Sequence, residues 1–225
     1  VPVVHLAGAG EMEMADQVLI AGNRVVAEVE GDLRNAGQIA GRELVSLTAG
    51  NDIINAQGSR VTGGTIVASA ARDLLAGAGS SISGTDVWLD AGRDLALTNI
   101  TTTFEHEQAD SFGKNFSSSR SSSTSLVTGA TVSAEGTLVM SAGRDLLASA
   151  GSAISGTDVQ LGAGRDLALT STTTTTDIEH TSSSGKDRWS NWSRSTSHVT
   201  GVAVNAEDSL VINAGRDLSV EAARI

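Results

Sequence analysis

The chain has no cysteine and no tyrosine, only one proline, and aromatic side chains make up 3 % of its 225 residues. Without cysteine it contains neither disulfides nor thiolate metal ligands. The scarcity of aromatic residues disfavours an ordinary globular core, which is filled by large side chains. A formal net charge of −11 argues against a nucleic-acid binder, because phosphate recognition needs a basic surface. No apolar run approaches the ~20 residues of a membrane-spanning helix.

A repeated pentapeptide is the main feature that the chain does contain. Ala-Gly-Arg-Asp-Leu occurs at 91–95, 142–146, 163–167 and 214–218, and Ala-Ala-Arg-Asp-Leu occurs at 70–74. Successive copies are separated by 21 or 51 residues, so the unit is about 21 residues long and two units carry an insert of about 30. The pattern of one plain unit and one unit with an insert recurs after 72 residues.

Within a unit the apolar residues alternate with polar or small ones. Val87 and Leu89 share one side of an extended segment, and Leu95 and Leu97 do the same beyond a glycine. Alternation with a period of two, broken by glycine, predicts strand–turn–strand units rather than helices. Tandem units of this length bury their apolar sides only against neighbouring units. The sequence therefore predicts an all-β parallel β-helix, or solenoid, with coils of about 20–21 residues.

The repeated Arg-Asp step has two interpretations, a corner of the coil or a ladder of calcium ions. Calcium needs several oxygen ligands per ion, whereas each unit offers one aspartate beside a competing arginine. We therefore favour a structural corner, in which glycine adopts a positive φ and aspartate binds turn amides. The predicted turn ladder consists of Arg72, Asp73, Arg93, Asp94, Arg144, Asp145, Arg165, Asp166, Arg216 and Asp217.

The two inserts, at about 100–128 and 172–200, are predicted to form β-hairpins that project laterally from the solenoid. Threonine-rich arms favour strands, and the Gly-Lys pairs at 113–114 and 185–186 suit the tips. The alternative is that these serine-rich tracts are disordered linkers. Aromatic residues in both inserts favour the hairpins, since they provide side chains for packing.

Charge separates the inserts from the rest of the chain. Residues 101–128 sum to −1 and residues 172–199 to 0, so the remaining −10 of the −11 lies on the solenoid. Nearly neutral, hydroxyl-rich hairpins can approach glycans, anionic surfaces or another chain. The residues that we predict to contact a partner or membrane are Phe104, Phe112, Lys114, Phe116, Lys186, Arg188, Trp189 and Trp192.

No combination of residues predicts catalysis. The carboxylates recur once per coil instead of forming the paired carboxylates of a glycosidase. Glu105-His106 and Glu179-His180 are the paired acid–base candidates, and hydrophilic side chains at exposed positions explain them better. The four histidines show no metal-ligand spacing. We expect a protein that is not an enzyme and that holds neither a cofactor nor a metal.

The repeated pentapeptide, the segment Gly-Asp-Leu-Arg-Asn-Ala-Gly at 31–37 and the Thr/Ser-rich inserts resemble the haemagglutinin repeats of the filamentous haemagglutinin family. These repeats occur in secreted exoproteins of two-partner secretion systems in Gram-negative bacteria. The inserts look most like the second repeat region of contact-dependent growth inhibition toxin-delivery proteins. The resemblance covers residues from about 20 to 225.

The resemblance implies a right-handed β-helix, secreted to the bacterial cell surface after transient contact with an outer-membrane secretion barrel. The whole chain, 1–225, would be one solenoid fragment of a larger exoprotein. The implied function is to engage the outer membrane of a target cell and to aid toxin delivery. The alternative is the adhesive stalk of a filamentous haemagglutinin-type adhesin that binds host glycans.

Overall fold

The computed structural model describes residues 3–112, 116–184 and 188–221. In chain order the strands are β1 (Val3–Gly8), β2 (Met12–Met14), β3 (Leu19–Val29), β4 (Leu33–Asn35), β5 (Gln38–Ala49), β6 (Ile53–Asn55), β7 (Arg60–Ala70), β8 (Leu74–Ala76), β9 (Ser81–Ala91), β10 (Leu95–Leu97), β11 (Ile100–Phe112), β12 (Phe116–Thr128), β13 (Thr131–Ala134), β14 (Thr137–Ala142), β15 (Leu146–Ala148), β16 (Ala153–Ala163), β17 (Asp166–Leu169), β18 (Thr172–Ser184), β19 (Arg188–Thr200), β20 (Ala203–Ala214) and β21 (Asp217–Val220). None of the described residues forms a helix that is long and apolar enough to cross a membrane.

The chain divides into two compact units. The first unit, here called the solenoid, contains residues 1–100, 128–171 and 201–225. The second, here called the insert sheet, contains residues 101–127 and 172–200. The inserts were predicted as separate hairpins, but the structure joins their four strands into a single sheet in the order β11-β12-β18-β19.

The solenoid consists of two parallel sheets that share the same coils. One sheet runs β1-β3-β5-β7-β9, continues through β13 and β14 to β16, and ends with β20. The other runs β2-β4-β6-β8-β10-β15-β17-β21. Each coil contributes a long strand to the first sheet and a short strand to the second, and coils adjacent in sequence are adjacent in space. The prediction of a parallel β-helix is confirmed.

The long strands bend near their middle, where the pairing register shifts. Such shifts occur after Gly41 in β5 and at Gly156 in β16. In one coil the strand is interrupted altogether, and β13 and β14 pair with the two halves of β9. A bulge of this kind turns a strand without ending its sheet. These register shifts are absent from the sequence prediction, which expected strand–turn–strand units.

The interior of the solenoid consists of stacked apolar side chains. The short strands place Leu74, Leu95, Leu146 and Leu167 in one file, because their registers align these residues across successive coils. Each of the four is at most 1 % exposed. Burying a leucine side chain contributes roughly 1.5–3 kcal/mol. The alternation seen in the sequence thus becomes an interior continuous along the coil stack.

The glycine of the pentapeptide serves a purpose different from the predicted one. We expected a positive φ at these glycines, but among the described residues positive φ occurs at Gln17, Gly58, Gly79 and Gly151 instead. A Cβ atom at Gly143 would collide with the carbonyl oxygen of Gly92 in the preceding coil. The expectation of positive φ was wrong, and glycine is required because the coils approach closely at this corner.

Candidate functional site

The insert sheet is antiparallel, and its central junction joins the two inserts. Strand β12 pairs with β18 from Phe116 opposite Ser184 to Ser123 opposite Asp177. Strand β18 pairs with β19 along its whole length, from Thr172 opposite Thr200. Threonine and serine populate these arms, and β-branched threonine favours extended backbone. The junction lies between residues that are about 60 positions apart in the sequence.

The registers place all even-numbered side chains of the sheet on one face and all odd-numbered ones on the other. Arg120 lies opposite His180, which in turn lies opposite Trp192, so even residues align with even residues. A hydrogen bond of 2.9 Å joins the hydroxyls of Thr103 and Ser125 and extends the same rule to β11. Because side chains alternate along each strand, residue parity identifies the face throughout this sheet.

Opposite charges lie on opposite faces. The even face carries Arg120, Arg188 and Arg194, and it is called the cationic face below. It also contains one carboxylate, that of Asp110. The odd face, called the acidic face, carries Glu105, Glu107, Asp177 and Glu179 and no lysine or arginine among its described residues. The near neutrality of each insert therefore conceals two faces of opposite charge.

The aromatic side chains also divide unequally between the faces. Phe104, Phe116 and Trp192 belong to the cationic face, with exposures of 58, 39 and 47 %. The rings of Trp192 and His180 lie 5.7 Å apart between centroids. Trp189 belongs to the acidic face and is 76 % exposed. Two exposed tryptophans of a single strand therefore point in opposite directions.

Shallow open concavities line the sheet beside the acidic residues. One is lined by Glu105, His106, Glu107, Asp177 and Glu179 together with serines of β12. A neighbouring concavity is lined by hydroxyl groups and by Trp189. Within the described parts of the chain, no group of three or more acidic or histidine side chains is arranged to hold a metal ion.

The two acid–base pairs singled out from the sequence are split by the sheet. Glu105 and Glu179 point to the acidic face, whereas His106 and His180 point to the cationic face. Adjacent residues of a strand extend to opposite faces of the sheet, which is why each pair is divided.

The residues of the predicted turn ladder lie along one corner of the solenoid. Each arginine makes a two-point contact with the aspartate of the preceding coil, and Arg216 also contacts the next residue in sequence, Asp217, at 3.2 Å. Arg72 donates through Nε and Nη2 to the two carboxylate oxygens of Asp52, at 3.0 and 2.6 Å. The same two-point contact joins Arg93 to Asp73, Arg144 to Asp94, Arg165 to Asp145 and Arg216 to Asp166.

Backbone contacts complete this corner. The amide of Asp73 donates to the carboxylate of Asp52 at 3.1 Å, and this contact recurs at Asp94, Asp145 and Asp166 with the preceding aspartate. Asp52, Asp73, Asp94 and Asp145 thus bind an amide in the next coil, where the prediction placed the amide in the turn itself. Asp52, which precedes the pentapeptide copies, was missed as a member although Asn51-Asp52 occupies the position of their Arg-Asp.

These contacts shift the ionisation of the corner. The hydrogen bond from Arg72 lowers the pKa of Asp52 below its ordinary value, although partial burial opposes the shift. The pKa of Asp73 and that of Asp145 are lowered in the same way by the arginine of the following coil. The corner is an ion-pair ladder that links coil to coil, in which the carboxylates from Asp52 to Asp166 are each engaged by the arginine of the following coil.

The structure separates the eight residues predicted to contact a partner. Phe104, Phe116, Arg188 and Trp192 share the cationic face, whereas Trp189 lies on the acidic face. Lys114, Lys186 and the side chain of Phe112 lie outside the described residues. Arg120 and Arg194 were missed as site residues, and the available signal was their even position in alternating strands.

Comparison with known proteins gives one match. Residues 110–191 match the model of a family described as Hemagglutinin repeat, a stretch of 82 of the 225 residues that runs from β11 into β19. No curated protein and no solved structure matches the chain. The match supports the filamentous haemagglutinin-type repeat inferred from the sequence, and with it a segment of a secreted surface protein.

Proposed function

We propose that this chain is a non-catalytic contact segment of a secreted exoprotein of the contact-dependent growth inhibition type. In this proposal the insert sheet engages the outer membrane of a target cell and helps to deliver a toxin carried elsewhere in the parent protein. Export would involve transient contact with the outer-membrane secretion barrel of a two-partner system. The observation that carries the proposal is the cationic face, where three arginines accompany three exposed aromatic rings.

The chemistry of that face suits an anionic amphiphilic surface. Guanidinium groups bind phosphate through paired hydrogen bonds. Tryptophan favours the boundary between headgroups and hydrocarbon, because it combines a large apolar ring with a polar N–H, and phenylalanine adds apolar area that can enter the hydrocarbon. Arg120, Arg188 and Arg194 are exposed, as are Phe104 and Trp192, so this face is available to a membrane surface.

Vesicle binding tests the membrane contact, and the two tryptophans of β19 provide a matched pair. We expect the chain to sediment with vesicles of phosphatidylglycerol or lipopolysaccharide and not with vesicles of phosphatidylcholine alone. Trp192→Ala should weaken this binding about tenfold, an effect of roughly 1.4 kcal/mol. Trp189→Ala, on the opposite face, should leave it unchanged. Equal effects of the two substitutions would contradict binding through the cationic face.

The delivery function needs a test in the parent exoprotein. Removal of residues 100–128 and 172–200 should abolish toxin delivery while secretion and cell binding persist. Wild-type delivery after this removal would refute the proposal. The parent exoprotein with Trp192→Ala should deliver less toxin than the wild type, in proportion to the loss of vesicle binding.

Glycan binding by an adhesive stalk is the second candidate function, and Trp189 favours it. This ring is exposed beside Ser183 and Thr181, which line the same concavity. Sugars commonly bind through an aromatic platform combined with hydrogen bonds from hydroxyl and carboxylate groups. On a glycan array, binding that is lost in Trp189→Ala and retained in Trp192→Ala would favour the adhesin over the membrane-contact protein.

A further inference from the structure

The insert sheet has two open edges. Strands β11 and β19 are the terminal strands of the order β11-β12-β18-β19, so among the described residues each has a neighbour on one side only. Both are 13 residues long. A terminal strand presents a row of backbone N–H and C=O groups to which another strand can bind. Long terminal strands without proline, such as these two, are unusual unless something covers or repels the pairing partner.

The two edges carry opposite charge. Strand β11 contains Glu105, Glu107 and Asp110 and no lysine or arginine, which gives −3. Strand β19 contains Arg188 and Arg194 and no carboxylate, which gives +2. Like edges therefore repel and unlike edges attract through their net charge, although of the three carboxylates only Asp110 shares the cationic face with Arg188 and Arg194. Charge thus disfavours symmetric pairing of like edges and favours pairing of unlike ones.

The junction inside the sheet shows how unlike edges would meet. There the second strand of one insert, β12, pairs antiparallel with the first strand of the other insert, β18. The hydroxyls of Ser117 and Ser183 bind each other across it at 2.7 Å. Strand β19 is the second strand of its insert and β11 is the first strand of its own. A β19–β11 junction would therefore repeat an arrangement that the sheet already contains.

The 72-residue repeat supplies the register of that junction. In the β12–β18 junction the numbers of two paired residues sum to 300. Adding 72 to residue 116 gives residue 188, and subtracting 72 from residue 184 gives residue 112, so the same sum describes pairing of β19 with β11. In this register Ser190 of one copy lies opposite Asp110 of the next. Arg188 is then a diagonal neighbour of Asp110, within reach of a long side chain. Even residues again meet even residues, so the cationic and acidic faces continue across the junction.

We propose that the insert sheet associates with a second copy of the chain through β19 of one copy and β11 of the other, in antiparallel register. The contact is heterologous, so each added copy leaves one free β11 and one free β19 edge, and the association is open-ended. This self-association goes beyond the proposed membrane contact and does not depend on it. Its consequence is a wider sheet with one continuous cationic face.

Charge reversal at each edge tests the proposal. The variant Glu107→Lys/Asp110→Lys changes β11 from −3 to +1 and reverses the carboxylate beside Arg188, and the variant Arg188→Glu/Arg194→Glu changes β19 from +2 to −2. The full chain should self-associate at low ionic strength in analytical ultracentrifugation. Each variant alone should associate at least about tenfold more weakly, because its two edges now carry charge of the same sign. Circular dichroism establishes that the variants are folded.

Mixing distinguishes edge pairing from a general loss of structure. An equimolar mixture of the two variants should associate again, since the acidic β19 of one then meets the basic β11 of the other. A chain that carries both double substitutions should also associate like the parent. The matched control is Asp177→Lys/Glu179→Lys, which reverses two charges of the acidic face on the internal strand β18 and should leave association unchanged.

Three results would overturn the proposal. A parent chain that is monomeric at every concentration has no such contact. Mixtures and the combined variant that fail to associate would exclude pairing of unlike edges. Loss of association in the β18 control equal to that in the edge variants would indicate stacking of sheet faces instead of pairing of edges.

Discussion

The solenoid and the insert sheet consist of the same kind of element, yet they place their side chains in opposite ways. In the solenoid, apolar side chains that align between neighbouring coils, such as Leu74 and Leu95, are buried. In the insert sheet, no described residue is buried. Successive coils cover each other's apolar side chains, whereas the insert sheet leaves apolar side chains such as Phe104, Leu126 and Trp192 exposed among its Thr, Ser and charged residues.

This difference assigns stability and recognition to separate parts of the chain. A coil is stabilised by its neighbours, so its inward residues are constrained by packing. The residues of the insert sheet are free of that constraint, and their charges and rings are accessible to a partner. Stability should therefore respond strongly to changes in the solenoid and weakly to changes in the insert sheet.

The largest expected effect comes from removal of a core side chain. Leu95 is 0 % exposed, and Leu95→Ala should lower the free energy of unfolding by about 2–5 kcal/mol, because it removes buried contacts and leaves a cavity. Leu126 in the insert sheet is 56 % exposed, and Leu126→Ala should change it by no more than about 0.5 kcal/mol. Chemical denaturation followed by circular dichroism measures both. Similar losses in the two variants would contradict the division of roles.

A smaller effect is expected at the corner glycine. Gly143→Ala brings a methyl group into the carbonyl of Gly92 in the neighbouring coil, and we expect a loss of about 1–3 kcal/mol. Gly10→Ala is the matched control, since nothing lies within 4 Å of a Cβ built there. Thermal unfolding should separate the two variants. If Gly143→Ala is tolerated as well as Gly10→Ala, close approach of the coils is not the reason for glycine.

Acid should weaken the solenoid through its ion-pair ladder. The pKa of Asp52, that of Asp73 and that of Asp145 are lowered in the folded chain, chiefly by hydrogen bonds from arginine. Their stabilising contribution is therefore complete above the unfolded value of about 3.9 and is lost as pH falls below it through the folded pKa. Denaturation midpoints measured from neutral pH down to pH of about 3 should record this loss.

The acid effect has its own control variant. Replacing Arg72, Arg93 and Arg165 by glutamine removes the hydrogen bonds that lower these three pKa values. The variant should lose less stability on acidification than the parent chain does. An identical loss in both chains would assign the acid sensitivity to other carboxylates.

The smallest effect is expected from Arg165→Lys. The guanidinium of Arg165 contacts both carboxylate oxygens of Asp145, and a lysine ammonium keeps the charge without the planar two-point geometry. Because Arg165 is half exposed, the decrease in thermal midpoint should be smaller than that of Gly143→Ala. A decrease as large as that of Leu95→Ala would show that the ladder, and not the core, dominates stability.

Much of the solenoid was predictable because its signals are local. The alternation at Val87 and Leu89 and the recurring pentapeptide were sufficient to predict parallel coils of about 21 residues. The register shifts within the long strands were not predictable, since they depend on how one coil pairs with the next. The predicted role of the pentapeptide glycine was wrong for a similar reason. The carbonyl oxygen that a larger residue would meet there belongs to another coil.

The candidate site was predictable only in part. The aromatic and basic residues of the inserts were identified, and parity along a single strand already separates Glu105 from His106. The net charges of the two inserts, −1 and 0, concealed the separation of positive and negative charge between the faces, however, because opposite charges cancel in a sum. Pairing of β12 with β18 extends that parity across four strands and unites Arg120 with Arg194 on one face.

The sequence by itself determined the coil length, the inward residues of the solenoid and the location of the inserts, since these follow from spacing and alternation along the chain. Only the tertiary structure decided the partners of the arginine ladder, the union of the inserts into one sheet and the charge of its faces and edges. Each of these depends on which strand lies beside which, and on the register in which they pair. Residues some 50 or 60 positions apart meet there, and no local pattern specifies their contact.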